Sequence, residues 1–226
     1  MSEVVKEEKN IERQIWGIID EDRVVNFSDA VFAFAATLLV LKIDLPVEVR
    51  SNMSTQLFPA LATLWPQYFA NIISFLIIGF YWLNHHAIFG MLKKFNSTIV
   101  WINIIFLISL SFLPFPVDLY GDYMHEPPVV VFYSASLAVV GFLLFVLWWY
   151  ASSDHRLISK EMSRQTMQYF SARLLIAPIV FTVSIPLVYI HPVLAQLSWV
   201  LVIVGMIWIG KYFRGPHGSR TEQLAV

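Results

Sequence analysis

Polar residues interrupt the apolar positions of this chain in only a few places, and the intervals between interruptions are long enough to cross a bilayer. A hydrocarbon core about 30 Å thick needs about 20 predominantly apolar residues per helix. Six stretches meet that length: residues 24–43, 68–92, 98–117, 129–150, 169–190 and 193–210. Only His191 and Pro192 separate the fifth from the sixth, which predicts a tight helical hairpin. Residues 52–65, with Pro59 inside them, are too short and too interrupted to span, and read as an interfacial or re-entrant segment leading into the second helix. The pattern predicts an all-α membrane protein with six transmembrane helices. Its divisions are an N-terminal segment (1–23), a helical domain (24–210) and a C-terminal tail (211–226).

Composition agrees with the pattern. Of 226 residues, 58% are apolar and 14% charged, and the mean hydropathy is +0.65, whereas soluble domains are about half apolar and about a quarter charged. A net charge of -1 provides no field that would draw nucleic acid to the protein. The chain has no cysteine, which removes disulfides, thiolate metal sites and cysteine nucleophiles.

The placement of charge is more informative than its sum. Glu3, Glu7, Glu8 and Glu12 precede any apolar run, which argues against a signal peptide. With the N-terminus inside, Lys6, Lys9, Arg13, Arg23, Lys93, Lys94, Arg156, Lys160, Arg164, Arg173, Lys211, Arg214 and Arg220 are cytoplasmic, and only Lys42 and Arg50 lie outside. That asymmetry places both termini of a multi-pass cell-membrane protein in the cytoplasm. The outer loop 118–126 then carries Asp118, Asp122 and Glu126, either as an ordinary solvated loop or as a concentrator of cations. No internal repeat duplicates a central lining. A transmembrane pathway is therefore expected between copies of the chain, in a homo-oligomer.

Within the first span, Asp29 stands out, because a carboxylate in a lipid-embedded helix is costly unless paired or hydrated. It is either part of a polar network or a capping carboxylate at the headgroup boundary, assisted by Ser28 and the helix dipole. The second span ends in Tyr81-Trp82-Leu83-Asn84-His85-His86. Trp82 and His86 are four apart and share a face, while His85 points about 100° away from His86. That splay opposes a shared metal, and Asp29 or Arg23 is the expected partner of such a histidine. Ala30, Ala33, Ala35 and Ala36 allow close approach of another helix. Val31, Phe34, Leu38 and Leu41 form an apolar stripe with Thr37 beside it, a pattern that periodicity alone assigns to lipid or core rather than to a pore.

Arg23-x-x-x-Phe27-Ser28-Asp29-Ala30, followed by Phe32-Ala33 and Ala36-Thr37-Leu38-Leu39-Val40-Leu41, resembles the first-helix signature of the transmembrane protein 175 potassium channel family. Trp82 and His86, and Asn103 with Leu113-Pro114-Phe115, are also similar to that family. The likeness covers six spans in layout and the first three in motif. A single six-helix unit resembles the prokaryotic branch. The resemblance implies a homotetrameric cation channel passing potassium, with the first helix lining the pore and no resident cofactor. It places the narrowest ring on Phe34, where relatives carry an aliphatic residue, the selectivity hydroxyl on Thr37, and a second aliphatic ring on Leu41. The polar network behind the filter falls on Arg23, Ser28, Asp29, Trp82 and His86. Leu38 or Val31 remains an alternative constriction, each within about 60° of Phe34 around the helix.

No Thr-Val-Gly-Tyr-Gly segment is present, so a carbonyl-lined filter is not expected. A proton- or cation-coupled secondary transporter using Asp29, Arg23 and His86 as a relay is the competing reading. Against it stand the missing repeat and the lack of Gly or Pro breaks in the middle of the first two spans. The histidines and acids assemble no metal or nucleophile motif, so no enzyme is expected.

Overall fold

In the computed structural model, the described residues are 21–41, 43 and 53–213. Among them the chain is helical, with one isolated antiparallel bridge between Leu92 and Ile158. The N-terminal segment to residue 20, Lys42, residues 44–52 and the tail from 214 lie outside the described residues.

Among the described residues, six helical stretches are long and apolar enough to cross a membrane. The first is α1 (Glu21–Val40). A short helix α2 (Met53–Thr63) leads through Leu64 into α3 (Trp65–Met91), the second span, so residues expected to be interfacial form a helix too short to cross. The third span is α4 (Ser97–Phe112) continued by α5 (Pro114–Asp122). Pro114 and Pro116 lack the N–H that would continue the hydrogen-bond ladder, so the helix is interrupted at Leu113. The fourth is α6 (Pro127–Ser152), the fifth α7 (Arg164–Val188), and the sixth α8 (Pro192–Ser198) continued by α9 (Val200–Phe213).

Helix starts follow their local sequence. The Asn96 side chain accepts from the Ile99 N–H at 3.0 Å, and Ser163 accepts from the Thr166 N–H at 3.0 Å, each satisfying an orphan donor of a first turn. His191 Nδ1 does the same for the Val193 N–H, which turns the α7–α8 hairpin within a few residues. At the end of the bundle carrying the α3–α4 and α6–α7 loops, the N–H groups of Lys93 and Lys94 both donate to the Leu157 carbonyl, at 2.7 and 3.2 Å.

The core is rich in large side chains, with Trp148, Tyr81, Tyr120, Tyr133, Phe106 and Phe181 fully buried. Several polar atoms inside it are paired across helices, while Tyr120 Oη has no hydrogen-bond partner. Tyr81 Oη donates to the Leu137 carbonyl at 2.8 Å, Ser74 and Tyr133 share a 2.9 Å hydrogen bond, and Trp199 Nε1 donates to Ser184 Oγ at 3.2 Å. Helices α6 and α7 meet at Gly141. A Cβ there would stand 3.0 Å from Pro178 Cβ and Cδ and 3.1 Å from Tyr81 Oη. Neither a proline ring nor a hydrogen-bonded phenol yields easily. Gly141→Ala should therefore destabilise the protein by about 1–3 kcal/mol, read as a lowered thermal midpoint in detergent. An unchanged midpoint would mean that the two helices separate freely at this crossing.

Candidate functional site

Helix α1 packs on α3, α4 and α5. It does so through Val24, Ser28, Phe32, Ala35 and Leu39, which are buried. Their spacing of three and four residues makes one stripe along the helix. The stripe opposite is Phe27, Ala30, Phe34, Thr37 and Leu41, all exposed on the single chain. At 100° per residue the centres of the two stripes lie about 140° apart. Phe34 is 62% exposed and Leu41 72%, whereas Val31 and Leu38 lie half-buried between the stripes. Phe34 therefore points away from the subunit's own core more fully than either alternative.

Thr37 Oγ1 sits 2.9 Å from the Ala33 carbonyl and 3.0 Å from that of Phe34. Its hydrogen is directed back to the helix, so the oxygen lone pairs remain available on the exposed side.

The polar groups divide into two sets. The first lies at the periphery, where Trp82 Nε1 donates to Asp29 Oδ1 at 2.8 Å and both residues keep contact with the exterior. His86, four residues on, lies against the Trp82 ring with centroids 5.8 Å apart. The second set is fully buried. His85 Nε2 meets Asn103 Oδ1 at 2.8 Å, Asn103 Nδ2 donates to Ser28 Oγ at 2.9 Å, and Ser28 Oγ donates to the Val24 carbonyl at 2.8 Å. Because the amide nitrogen serves Ser28, the amide oxygen faces His85, and Nε2 carries the bonded hydrogen. The imidazole is held between Phe89 and Phe106 at centroid distances of 4.4 and 5.5 Å, with the Phe32 ring edge-on at 5.3 Å. Its Nδ1 has no hydrogen-bond partner.

The expected single network is thus two. Asp29 and Trp82 come together with His86, but Ser28 belongs to the buried set. Arg23 is exposed and forms no hydrogen bond or ion pair with Asp29 among the described residues. Six residues apart on one helix, the two point about 120° from each other. His85, splayed from His86, is the histidine that joins α3 to α4 and α1. Asn103 was the available signal for it, being an amide in the middle of an otherwise apolar third span. Of the outer acids, Asp122 accepts from Gln67 Nε2 at 2.6 Å, a link between α5 and α3. Among the described residues, no group of three or more His, Cys, Asp or Glu side chains is arranged to hold a metal.

Comparison with known proteins gives this arrangement a context. The family model described as endosomal/lysosomal potassium channel TMEM175 matches residues 23–114, the stretch that contains α1, α3 and α4. The protein named potassium channel Cha6605_3372 of Chamaesiphon minutus is 30% identical over 171 residues, covering 74% of this chain and 84% of that protein. Potassium channel B446_29190 of Streptomyces collinus is 26% identical over 175 residues, covering 76% of this chain and 84% of that one. The crystal structure of a lysosomal potassium-selective channel TMEM175 homolog from Chamaesiphon minutus matches with a TM-score of 0.71 and 28% identity, over 84% of this chain and 98% of that chain. With the helix order, the motif helix and most of the length shared with these relatives, the chain belongs to the TMEM175 family of potassium channels.

Proposed function

We propose that the protein conducts potassium in preference to sodium through a pore at the centre of a homotetramer, lined by the exposed stripe of α1. The observation that carries this reading is the two-sided character of that helix. One stripe is fixed in the subunit core, and the opposite one presents Phe27, Ala30, Phe34, Thr37 and Leu41 outward. Around a fourfold axis these residues form stacked layers. Four Phe34 rings make the narrow apolar layer, whose crowded faces disfavour water and admit a cation only as it sheds part of its hydration shell. Four Thr37 oxygens, one turn along, supply compensating ligands. Sodium, smaller and more tightly hydrated, loses more on entering. A ring of Leu41 closes the far end. Both termini are cytoplasmic in this reading, following the distribution of basic residues.

Purified protein in a planar bilayer should show discrete unitary currents with reversal potentials set by the potassium gradient, and native mass measurement should give a tetramer. A protein that stays monomeric under mild detergent, or whose flux never exceeds the turnover of a carrier, would remove the α1 pore from consideration.

A further inference from the structure

Between Glu161 and Glu222 the chain contains no carboxylate, yet it carries Arg164, Arg173, Lys211, Arg214 and Arg220. Arg164 begins α7 and Lys211 lies in the last turn of α9, and Arg214 and Arg220 lie outside the described residues, whereas Arg173 lies inside α7, and the spans in contact with α7 offer it no acid. It is half-buried, its Nε is enclosed without a hydrogen-bond partner, and it forms no ion pair with any described residue. Neighbouring contacts locate it. Tyr169 and Ile176, four residues before and three after, share its face of α7. Tyr169 meets the Phe213 ring of α9 at 5.3 Å, and a Cβ on Gly205 of α9 would lie 3.0 Å from Ile176 Cγ2. Arg173 therefore sits on the strip of α7 that α9 covers, opposite the apolar stretch around Ile209.

No described carboxylate meets Arg173, which leaves its guanidinium open to an anion from outside the chain, and the helix geometry says from which direction. Helical side chains lean toward the N-terminus of their helix, here toward the bundle end where α7 begins and α9 ends. Tyr169, Tyr212 and Phe213 are at that end, with Trp208 stacked on Tyr212 at 5.5 Å, the aromatic signature of a headgroup boundary. Arg173 is one turn deeper, about 6 Å of rise, a gap that an arginine stem covers when it snorkels.

We propose that Arg173, rimmed by Tyr169 and Phe213, binds the phosphate of an anionic phospholipid in the groove between α7 and α9. A planar guanidinium matches phosphate oxygens in a bidentate manner, and the aromatic rim fixes the depth of the headgroup. The site is separate from the conduction reading and is tested without measuring current.

Full-length protein released from mild detergent is titrated with phosphatidylglycerol, phosphatidylcholine or inorganic phosphate and weighed by native mass spectrometry. The wild type should take up a first phosphatidylglycerol about fivefold more readily than R173Q, the factor that corresponds to about 1 kcal/mol for one basic residue. Phosphatidylcholine should not distinguish the two proteins, and inorganic phosphate should leave no adduct. K211Q, which removes an exposed cation from the same end, should behave as wild type. If R173Q does not fold, the wild type alone still decides, because phosphatidylglycerol must raise its thermal midpoint more than phosphatidylcholine does. Equal retention by R173Q, an equal loss in K211Q, equal midpoints in the two lipids, or tetramers of R173Q falling apart with lipid uptake intact would each overturn the proposal. The last outcome would assign Arg173 to a carboxylate of a neighbouring copy.

Discussion

Phe34→Ala should raise the unitary current severalfold and flatten the discrimination among alkali cations. If the phenyl layer is the narrowest point, its removal replaces four rings by a wide, wettable gap, and about 1.4 kcal/mol off the barrier is tenfold in rate. Thr37→Ala should act differently. Threonine and alanine differ little in bulk, but the oxygens are lost, so the potassium over sodium ratio should fall while total current changes little. At about 1 kcal/mol for each lost oxygen contact, the shift in preference is at most a few kcal/mol over the ring. The half-buried position of Leu38 makes Leu38→Ala the informative comparison. Reversal potentials and unitary currents for the three variants test the register, and a pore opened by Leu38→Ala alone would place the constriction one turn further along α1.

Asn103→Ala should lower stability more than any substitution in the peripheral polar set. It removes two hydrogen bonds that join three helices and strands His85 in an aromatic cage where Nδ1 already has no partner. A buried polar group left unsatisfied costs about 1–3 kcal/mol, although interhelical bonds in membranes average somewhat less. A loss of about 2–4 kcal/mol is expected, seen as a lowered thermal midpoint and a reduced yield of assembled protein. Asp29→Ala should cost about 1 kcal/mol, since the indole N–H it abandons lies at an exposed residue where water or lipid oxygen can replace the carboxylate. If Asp29→Ala proves the more damaging, the carboxylate is engaged by a neighbouring copy rather than by Trp82 alone.

The difference between these two substitutions also marks how far the sequence could be read. Span existence was legible because a bilayer imposes a length on every crossing helix, and the six stretches fall where the apolar runs are. The break at Leu113 was less legible, since prolines at 114 and 116 are compatible with either a helix end or a kink. Faces were legible only in part, for a physical reason. In a soluble helix the polar face fixes rotation, but a span between lipid and an apolar core has little contrast between its sides. Spacing related Trp82 to His86 correctly, and the two rings are in contact. It carried no information on which of His85 and His86 turns toward α4. The link expected between Arg23 and Asp29 was vulnerable on spacing alone, because residues six apart do not share a helix face. The outward stripe of α1 was reached through family likeness, and its exposure on the single chain is an independent geometric property.

The junction between the α3–α4 and α6–α7 loops has a mechanical consequence. Two main-chain donors converge on the Leu157 carbonyl there, beside the Leu92–Ile158 bridge. Such bonds fail within a few tenths of an ångström of stretch. At the opposite end, the first three spans meet the last three through stacked rings, with Tyr120 on Tyr133 at 4.4 Å and Trp199 leaning on both, and through the Ser74–Tyr133 and Gln196–Met124 hydrogen bonds. Aromatic faces can slide while remaining in contact. Separating the two halves at the stapled loops would break main-chain bonds outright, whereas at the ring-packed end the Ser74–Tyr133 and Gln196–Met124 hydrogen bonds limit how far the aromatic faces can slide.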